Sequence, residues 1–445
     1  MSMRFLLSRA AALLVVTFLC GPSRPLAEPA PDPQSFDRQA LAWAYGRVVD
    51  SITVVGNRKV RDFAILREME SRVGEPLDAN ALERDERYIR DLGVFVSVTI
   101  SVEPVADDRC ALRVVVTERP TLLLKLVYPV FEYDINTQRF KYGLKWNDRN
   151  FRKQLESFSV DAVRDTHDDA SASISWNTRW VGWQHLGVGV RASYFNRAGE
   201  PLTLAIVEQT RFGAAVSIPL SESRIAFSQI LTGLSVANNR LGEMGSPLQR
   251  ELLLAPSLGY WYDRRDSPLR PRRGDYFFLN VQSSRVLNGE GSTYYLLAND
   301  VRLYRPLDEW TVIALLSRLD YQFGRYPDYI RYNMGGAGTL RGYEGSDFQG
   351  AHRWYQTAEI RIAPWPTRYI RLPLAGLSDF SLAIVAFVDT GIAWSSESEF
   401  SANNFHAGVG WGLRLYSPFQ DVARFDFGYN SRGGIRPYFS TGVRF

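Results

Sequence analysis

Few residues of this chain could do chemistry, and their spacing narrows what that chemistry is. Histidine occurs four times, at His167, His185, His352 and His406. None stands at metal-ligand spacing from another histidine, a cysteine or a carboxylate pair, so no metal site is expected. Thr166-His167-Asp168-Asp169 has the residue types of a catalytic dyad, but it lies in a polar stretch between two strand-like segments and reads as a turn. There is no G-x-S-x-G nucleophile elbow. The glycine-rich stretch Gly335-Gly336-Ala337-Gly338-Thr339-Leu340-Arg341-Gly342-Tyr343-Glu344-Gly345 lacks the Lys-Ser/Thr of a phosphate-binding loop. It holds instead a single arginine among small residues. The Arg341 guanidinium is a planar fork matched to a carboxylate. Asp389, which ends the apolar run from Phe380 to Val388, is one acceptor within the same half of the chain, and Glu359, beside Arg361, is a second. The same residues also allow a solvated loop arginine and an aspartate that merely starts a turn.

The elements that would position these groups are strands. The N-terminus has Arg4 and Arg9 around an apolar run from Ala10 to Cys20, then Gly21-Pro22 and a small-residue exit at Pro25-Leu26-Ala27. That is the pattern of a secretory signal peptide, residues 1–27. Its removal leaves Cys110 as the single cysteine, so no intramolecular disulfide is expected in the oxidising compartment beyond. A formal charge of +4 with mixed signs and no basic block argues against nucleic acid. Aromatic residues make up 13%, with 22 Tyr, 25 Phe and 11 Trp, enough to build membrane-interface girdles. Past the signal no stretch approaches 18 apolar residues. An exported chain of this kind is soluble, or it crosses a membrane as a closed barrel in which every backbone group is paired.

Residues 28–46 read as a linker or short helix, with Phe36, Ala40 and Trp43 on one side. From 47 to 120 the order is β-α-α-β-β: a strand Val48–Val55, a helix Arg61–Met69, a second helix capped by Asp78 or Asn80 and carrying Leu82, Ile89 and Leu92, and strands Phe95–Val102 and Arg113–Thr117. Ile52, Gly56, Asn57, Gly74, Leu77, Asp78, Leu92, Gly93, Phe95, Val98 and Glu118-Arg119-Pro120 together resemble a POTRA domain. The resemblance implies that the domain offers a sheet edge, here Phe95–Val102, to extended client chains.

After Pro120 the helical period disappears. Sixteen strand-like segments follow in 325 residues (445 minus 120), about 20 per strand with its connection, as an even-stranded membrane barrel over 121–445 needs. Phe425, Phe427 and Tyr429 alternate with Arg424, Asp426 and Gly428, and Phe439, Thr441, Val443 and Phe445 alternate with Tyr438, Ser440, Gly442 and Arg444. A charge facing lipid at mid-membrane costs about 2–4 kcal/mol, so the charged parity is luminal. The fold expected is an all-β transmembrane barrel of 16 antiparallel strands behind one small α+β domain.

Tyr262-Asp263-Arg264-Arg265-Asp266-Ser267-Pro268 with Arg273-Gly274, Leu340-Arg341-Gly342-Tyr343, Phe387-Val388-Asp389-Thr390-Gly391 and the terminal Phe445 resemble the outer-membrane protein assembly and translocation superfamily typified by BamA, TamA and the two-partner secretion transporters. The departures are Leu340 at the first position of the loop motif and a single POTRA unit. The resemblance implies that Arg341 folds into the lumen against Phe387, Asp389 and Gly391, with Glu359 as a second acceptor. A lone pair of this kind would survive exchange of its two charges. It also implies a weak seam between the first strand, Leu122–Tyr128, and the last, Arg436–Phe445, where Pro129 and Pro437 each remove a ladder donor. The implied location is the bacterial outer membrane, with the POTRA domain in the periplasm. The implied partners are unfolded outer-membrane or secreted polypeptides, outer-membrane lipids and periplasmic accessory proteins. Insertion of outer-membrane proteins and dedicated secretion of one partner both fit. A barrel phospholipase or protease would need a Ser/His/Asp cluster that the sequence does not assemble, and no cofactor is expected.

Overall fold

The computed structural model describes residues 41–119, 125–134, 139–197, 205–220, 227–267, 270–288, 291–365, 367–372, 376–417 and 421–441. The signal-peptide reading, Leu122 and Phe445 lie outside these residues.

The N-terminal domain contains β1 (Val48–Val55), α1 (Asp62–Leu66), α2 (Ala79–Asp91), β2 (Phe95–Ala106) and β3 (Arg109–Glu118). β3 lies between the other two strands, parallel to β1 and antiparallel to β2. Asp78 caps α2 by accepting the N–H groups of Asn80 and Ala81, which its neighbours in the first turn cannot satisfy. Ile65, Leu82, Ile89, Leu112 and Val114 form its dry core. Gly56 is required where it stands: its φ is +95° and a Cβ there would lie 2.1 Å from the Val116 carbonyl oxygen. The outer edge of β1 is covered, because Gly74 donates to Val49 and Leu77 to Arg47, both at 2.8 Å. The outer edge of β2 has no main-chain partner among the described residues. α1 is shorter than the Arg61–Met69 expected, since past Leu66 the backbone tightens to bonds three residues apart, Glu68 to Ile65 and Met69 to Leu66, while β2 and β3 run longer through their shared hairpin.

The wall follows as β4 (Lys125–Asp134), β5 (Arg139–Phe151), β6 (Glu156–Asp165), β7 (Ala170–Thr178), β8 (Gly187–Asn196), β9 (Ala205–Pro219), β10 (Phe227–Gly242), β11 (Gln249–Asp263), β12 (Gly274–Val286), β13 (Thr293–Pro306) and β14 (Thr311–Gly324). Next comes a long connection holding the short β15 (Tyr332–Met334) and β16 (Phe348–Gly350). The wall resumes with β17 (His352–Ile362), β18 (Arg368–Leu372), β19 (Gly376–Trp394), β20 (His406–Ser417), β21 (Asp421–Asn430) and β22 (Ile435–Thr441). β17 and β18 both pair with β19 and are two parts of one wall strand, interrupted at 363–367 where Pro364 cannot extend the ladder. Counted so, sixteen antiparallel strands among the described residues close into a barrel with β22 beside β4.

The two faces sort by parity. Val409, Trp411, Phe425, Tyr429 and Phe439 are exposed on the outside, whereas Arg414, Arg424 and Asp426 are buried toward the lumen. β19 continues past Asp389 to Trp394, so Asp389 sits inside a strand and does not end one, as the break in the apolar run had suggested. Its inward carboxylate is neutralised within the lumen and the ladder to β17 and β20 runs on. Thr166–Asp169 is a turn: the Asp165 carboxylate accepts the N–H of His167 at 2.8 Å and of Asp169 at 2.9 Å.

Candidate functional site

The connection between β14 and β17 folds back into the lumen. Its tip is shaped locally by Gly335, Gly336 and Gly342, all in the left-handed region, and by Thr339, whose hydroxyl donates to the Gly335 carbonyl and accepts the Gly335 N–H. A Cβ on Gly335 would lie 1.6 Å from the Glu344 carbonyl oxygen, so the turn closes only around glycine. Leu340, Arg341 and Tyr343 are each buried, Arg341 completely.

Arg341 binds Asp389 through three donors. Its backbone N–H and Nε both reach Oδ2, at 3.0 and 2.7 Å, and Nη2 reaches Oδ1 at 2.9 Å. Thr357 Oγ1 donates to the same carboxylate at 2.8 Å. Nη1 donates to Glu359 at 2.9 Å and lies 3.4 Å from Asp426. The guanidinium stacks 3.3 Å from the centre of the Phe387 ring. Arg414 joins Asp426 at 2.7 Å to Glu359 at 3.1 Å, and Arg361 donates to Glu359 at 2.9 Å. Three guanidinium groups therefore face three carboxylates, all buried except the partly exposed Arg361, which is the condition under which charge can be kept away from water. Because Arg341 has three acidic neighbours, exchanging its charge with that of Asp389 would set a new carboxylate against Glu359 and Asp426. The restoration expected of a lone pair is not expected here.

The sequence reading had placed Arg341, Phe387, Asp389, Gly391 and Glu359 together; the structure brings Arg341 against Phe387, Asp389 and Glu359, while Gly391, further along β19, faces Met334 and Tyr355. It adds residues that reading did not single out. Gly342 donates its N–H to Tyr438 Oη at 2.9 Å, and that hydroxyl donates to the Tyr343 carbonyl at 2.8 Å. Arg436 pairs with Glu344 at 2.7 Å. Asn430 Nδ2 donates to the Gly342 carbonyl. The loop thus holds β21 and β22 as well as β17 and β19. A Cβ on Gly408 would sit 1.9 Å from the Arg341 carbonyl oxygen, and one on Gly428 would sit 2.4 Å from the Gly342 nitrogen. The wall is bare where the loop backbone touches it. The signal was present in the sequence: Gly408, Gly410 and Gly412 recur at every second position of one strand, a mark of close backbone approach. The loop has a second attachment where Tyr329 donates to Glu251 on β11, a carboxylate also held by Asn239 at 3.1 Å. Tyr128 is in β4, opposite Lys145.

Tyr262–Ser267 and Arg273-Gly274 lie at the end of β11, in the turn after it and at the start of β12. Arg265 pairs with Asp263 at 2.7 Å, Arg264 with Asp275 at 2.6 Å, and a Cβ on Gly274 would meet the Arg264 carbonyl oxygen at 2.1 Å. This motif is a structural clasp at the end of the barrel nearer the N-terminal domain. Among the described residues no cluster of His, Cys, Asp and Glu is arranged to hold a metal.

A small α+β domain leading into sixteen strands, with an arginine-tipped loop inside them, is matched by two family models. Residues 48–119 match the POTRA model described as a surface antigen variable number repeat, and residues 150–445 match the Omp85 superfamily domain. The chain belongs to the Omp85 superfamily. It is 32% identical over 404 residues to the outer membrane protein assembly factor BamA of Nitratidesulfovibrio vulgaris, covering 86% of this chain and 48% of that protein. It is 23% identical over 322 residues to BamA of Neisseria meningitidis serogroup B, covering 66% of this chain and 40% of that one. The Omp85 chain described here thus spans less than half the length of these curated relatives. Its fold is like that of Haemophilus ducreyi BamA lacking POTRA domains 1–3, with a TM-score of 0.55 at 16% identity, covering 93% of this chain and 87% of that one. It is also like that of CdiB from Escherichia coli, with a TM-score of 0.60 at 13% identity, covering 89% and 74%.

Proposed function

We propose that this Omp85 barrel inserts proteins into the outer membrane or moves them across it, with its POTRA domain in the periplasm. The observation that carries the reading is that the Arg341 loop is bonded to the last wall strand. Gly342, Tyr343 and Glu344 hold Tyr438 and Arg436, so the loop fixes β22, one side of the closure, from within the lumen. Pro437 in β22 and Pro129 in β4 each lack an N–H for the ladder. A client strand that pairs with a parted edge gains main-chain hydrogen bonds without needing a particular sequence. The edge of β2, which has no main-chain partner among the described residues although Glu86 bonds the Ile100 backbone, would receive clients by the same chemistry before they reach the seam. Unfolded outer-membrane or exported polypeptides are the substrates on this reading, lipid surrounds the exposed aromatics, and periplasmic accessory proteins have the POTRA domain as their docking point.

Assembly and dedicated secretion differ in breadth. Depletion of the chain followed by outer-membrane proteomics separates them: a general loss of barrels supports assembly, and loss of one exported protein supports secretion. Cysteines paired across β4 and β22 and oxidised should stop activity. Full activity in the cross-linked state would exclude gating at the seam.

A further inference from the structure

The outer face of the barrel gathers charge at one place on its rim. The buried Arg67 of the POTRA domain donates to the Gln154 carbonyl at 2.5 Å and the Gly182 carbonyl at 3.3 Å, in the turns joining β5 to β6 and β7 to β8, so those turns mark the periplasmic end of the wall. The start of β9, the end of β10, the start of β11 and the end of β12 lie at the opposite end, toward the cell exterior. There Glu208, Arg240 and Arg250 are register partners on three successive strands, and Arg285 lies opposite Leu254 on the fourth. Glu208, Arg240 and Arg250 share outward parity with the exposed Phe212, Val236 and Leu252 of their own strands, and Arg285 follows the fully buried Ser284 of the luminal face. Tyr194 and Tyr295, both exposed, stand two residues nearer the membrane on the strands beside Glu208 and Arg285, and the Tyr295 ring stacks on Phe323 at 4.9 Å. These aromatics form the outer girdle, which puts the arginines at the depth of the lipid headgroups.

Arg240 and Arg250 face each other directly across the β10–β11 ladder, and like charges so placed weaken a strand pair unless an anion lies with them. Glu208 answers one of the two: Arg240 Nη1 donates to its carboxylate at 2.6 Å, with the arginine side chain 42% exposed. Arg250 and Arg285 are exposed, and neither side chain has a bonded carboxylate among the described residues. Each guanidinium is a planar fork suited to phosphate oxygens. The backbone that carries them is fixed. Asn288 accepts the Leu252 N–H at 2.5 Å and donates to the Arg250 carbonyl at 2.9 Å, while the Leu287 N–H reaches the Leu252 carbonyl at 2.8 Å. Leu248, Leu252 and Leu287 are exposed on the same rim and offer apolar surface beside the charges. Leu254, the partner of Arg285, is four residues from Arg250, about 13 Å along the strand. A lipid with one phosphate meets one end of this span, whereas a disaccharide with a phosphate at each end meets both. β9 to β12 are the sixth to ninth of the sixteen wall strands, half-way round from the closure between β22 and β4.

We propose that this rim is a binding site for a bisphosphorylated, multi-chain glycolipid of the outer leaflet, the lipid A class, with its phosphates on Arg240, Arg250 and Arg285 and its acyl chains on Leu252 and Leu287. The glycolipid anchors the back wall of the barrel in the outer leaflet, away from the closure. The site stands whether the barrel inserts clients or secretes one. It is tested on the full-length protein in phosphatidylethanolamine vesicles that carry either bisphosphorylated lipid A or phosphatidylglycerol at equal phosphate charge. Amide exchange across 249–252 and 285–288 is expected to slow at least fivefold with lipid A and less than twofold with phosphatidylglycerol, while the turn at 166–169, at the same end of the barrel, is unchanged by either. No slowing with lipid A overturns the site, and so does equal slowing by both lipids or in the control turn, since that is the response of any surface near anionic headgroups. Native mass spectrometry with the same two lipids tests the residues. The triple variant Arg240→Gln, Arg250→Gln, Arg285→Gln is expected to bind lipid A at least tenfold more weakly, and Arg164→Gln, which removes an arginine paired with Asp168 at 2.7 Å at the same end, to bind it as the native protein does. Undiminished binding by the triple variant, or an equal loss in Arg164→Gln, refutes the assignment. Lipid A stripped of one phosphate should bind the native protein at least threefold more weakly; equal binding would refute the two-phosphate span. If the triple variant fails to fold, the exchange measurement on the native protein decides the site.

Discussion

Replacing Arg341 with alanine removes a buried cation that bonds Asp389 through three donors, while Thr357 still donates to that carboxylate and Glu359 and Asp426 retain Arg361 and Arg414. Breaking a buried ion pair from one side costs about 3–5 kcal/mol, because the surviving charge stays out of water without compensation. At 1.4 kcal/mol per tenfold, the docked loop loses roughly two to three and a half powers of ten against its undocked state. Hydrogen exchange of residues 335–345 reads that equilibrium directly, since the Arg341 and Gly342 amides are bonded to Asp389 and Tyr438 only when the loop is docked. Protection there should fall by two powers of ten or more in Arg341→Ala. Arg341→Lys should lie between, because an ammonium supplies the charge without the fork. The double exchange Arg341→Asp with Asp389→Arg should remain unprotected, given Glu359 and Asp426 at 2.9 and 3.4 Å from the native guanidinium. Protection in Arg341→Ala within tenfold of the native protein, or full rescue by the double exchange, would refute the reasoning.

Further outcomes follow from the same geometry. Gly408→Ala, whose new methyl would meet the Arg341 carbonyl oxygen, should lower protection of 335–345 while the barrel's resistance to heat in detergent is kept; equal protection in variant and native protein would show that the wall yields there. Phe439→Arg, on the lipid side, should destabilise the barrel by up to about 2–4 kcal/mol in denaturant titrations from vesicles, and Ser440→Arg, on the luminal side, by much less; equal losses would mean that the faces are assigned wrongly. In the POTRA domain, burial holds the Asp85 carboxyl above its ordinary range despite the N–H groups of Glu70 and Ser71 that it accepts. The folded domain therefore keeps this proton to higher pH than the unfolded chain does. The contribution of Asp85 is greatest below its unfolded pKa of about 3.9 and is lost as pH rises through the folded value. Asp85→Asn should remove that slope from the pH dependence of the domain's exchange, and parallel profiles for variant and native protein would contradict the shift.

Much of the architecture was legible in the sequence because a membrane barrel imposes a two-residue period. Phe425, Phe427 and Tyr429 must lie opposite Arg424, Asp426 and Gly428 whatever the rest of the chain does, since lipid accepts one set and rejects the other. Period and turn signals also gave the strand number, and the capped helix after Asp78 followed from local chemistry. A glycine-flanked arginine and an inward aspartate could be recognised as candidates, but the residues alone favoured a solvated arginine and a turn aspartate, and only the resemblance pointed to the pair. Tertiary structure decided what no local pattern encodes. Asp426 and Arg414 joined the Arg341 cluster because β20 and β21 curve to face the loop, and that turned a supposed pair into a network of six charges. Tyr438 met Gly342 across 96 positions of sequence, and Arg67 became buried because turns of the barrel wall closed over it. Alternation along a strand is fixed by the bond geometry of each residue, whereas which distant strands share a lumen is fixed only when the ring closes.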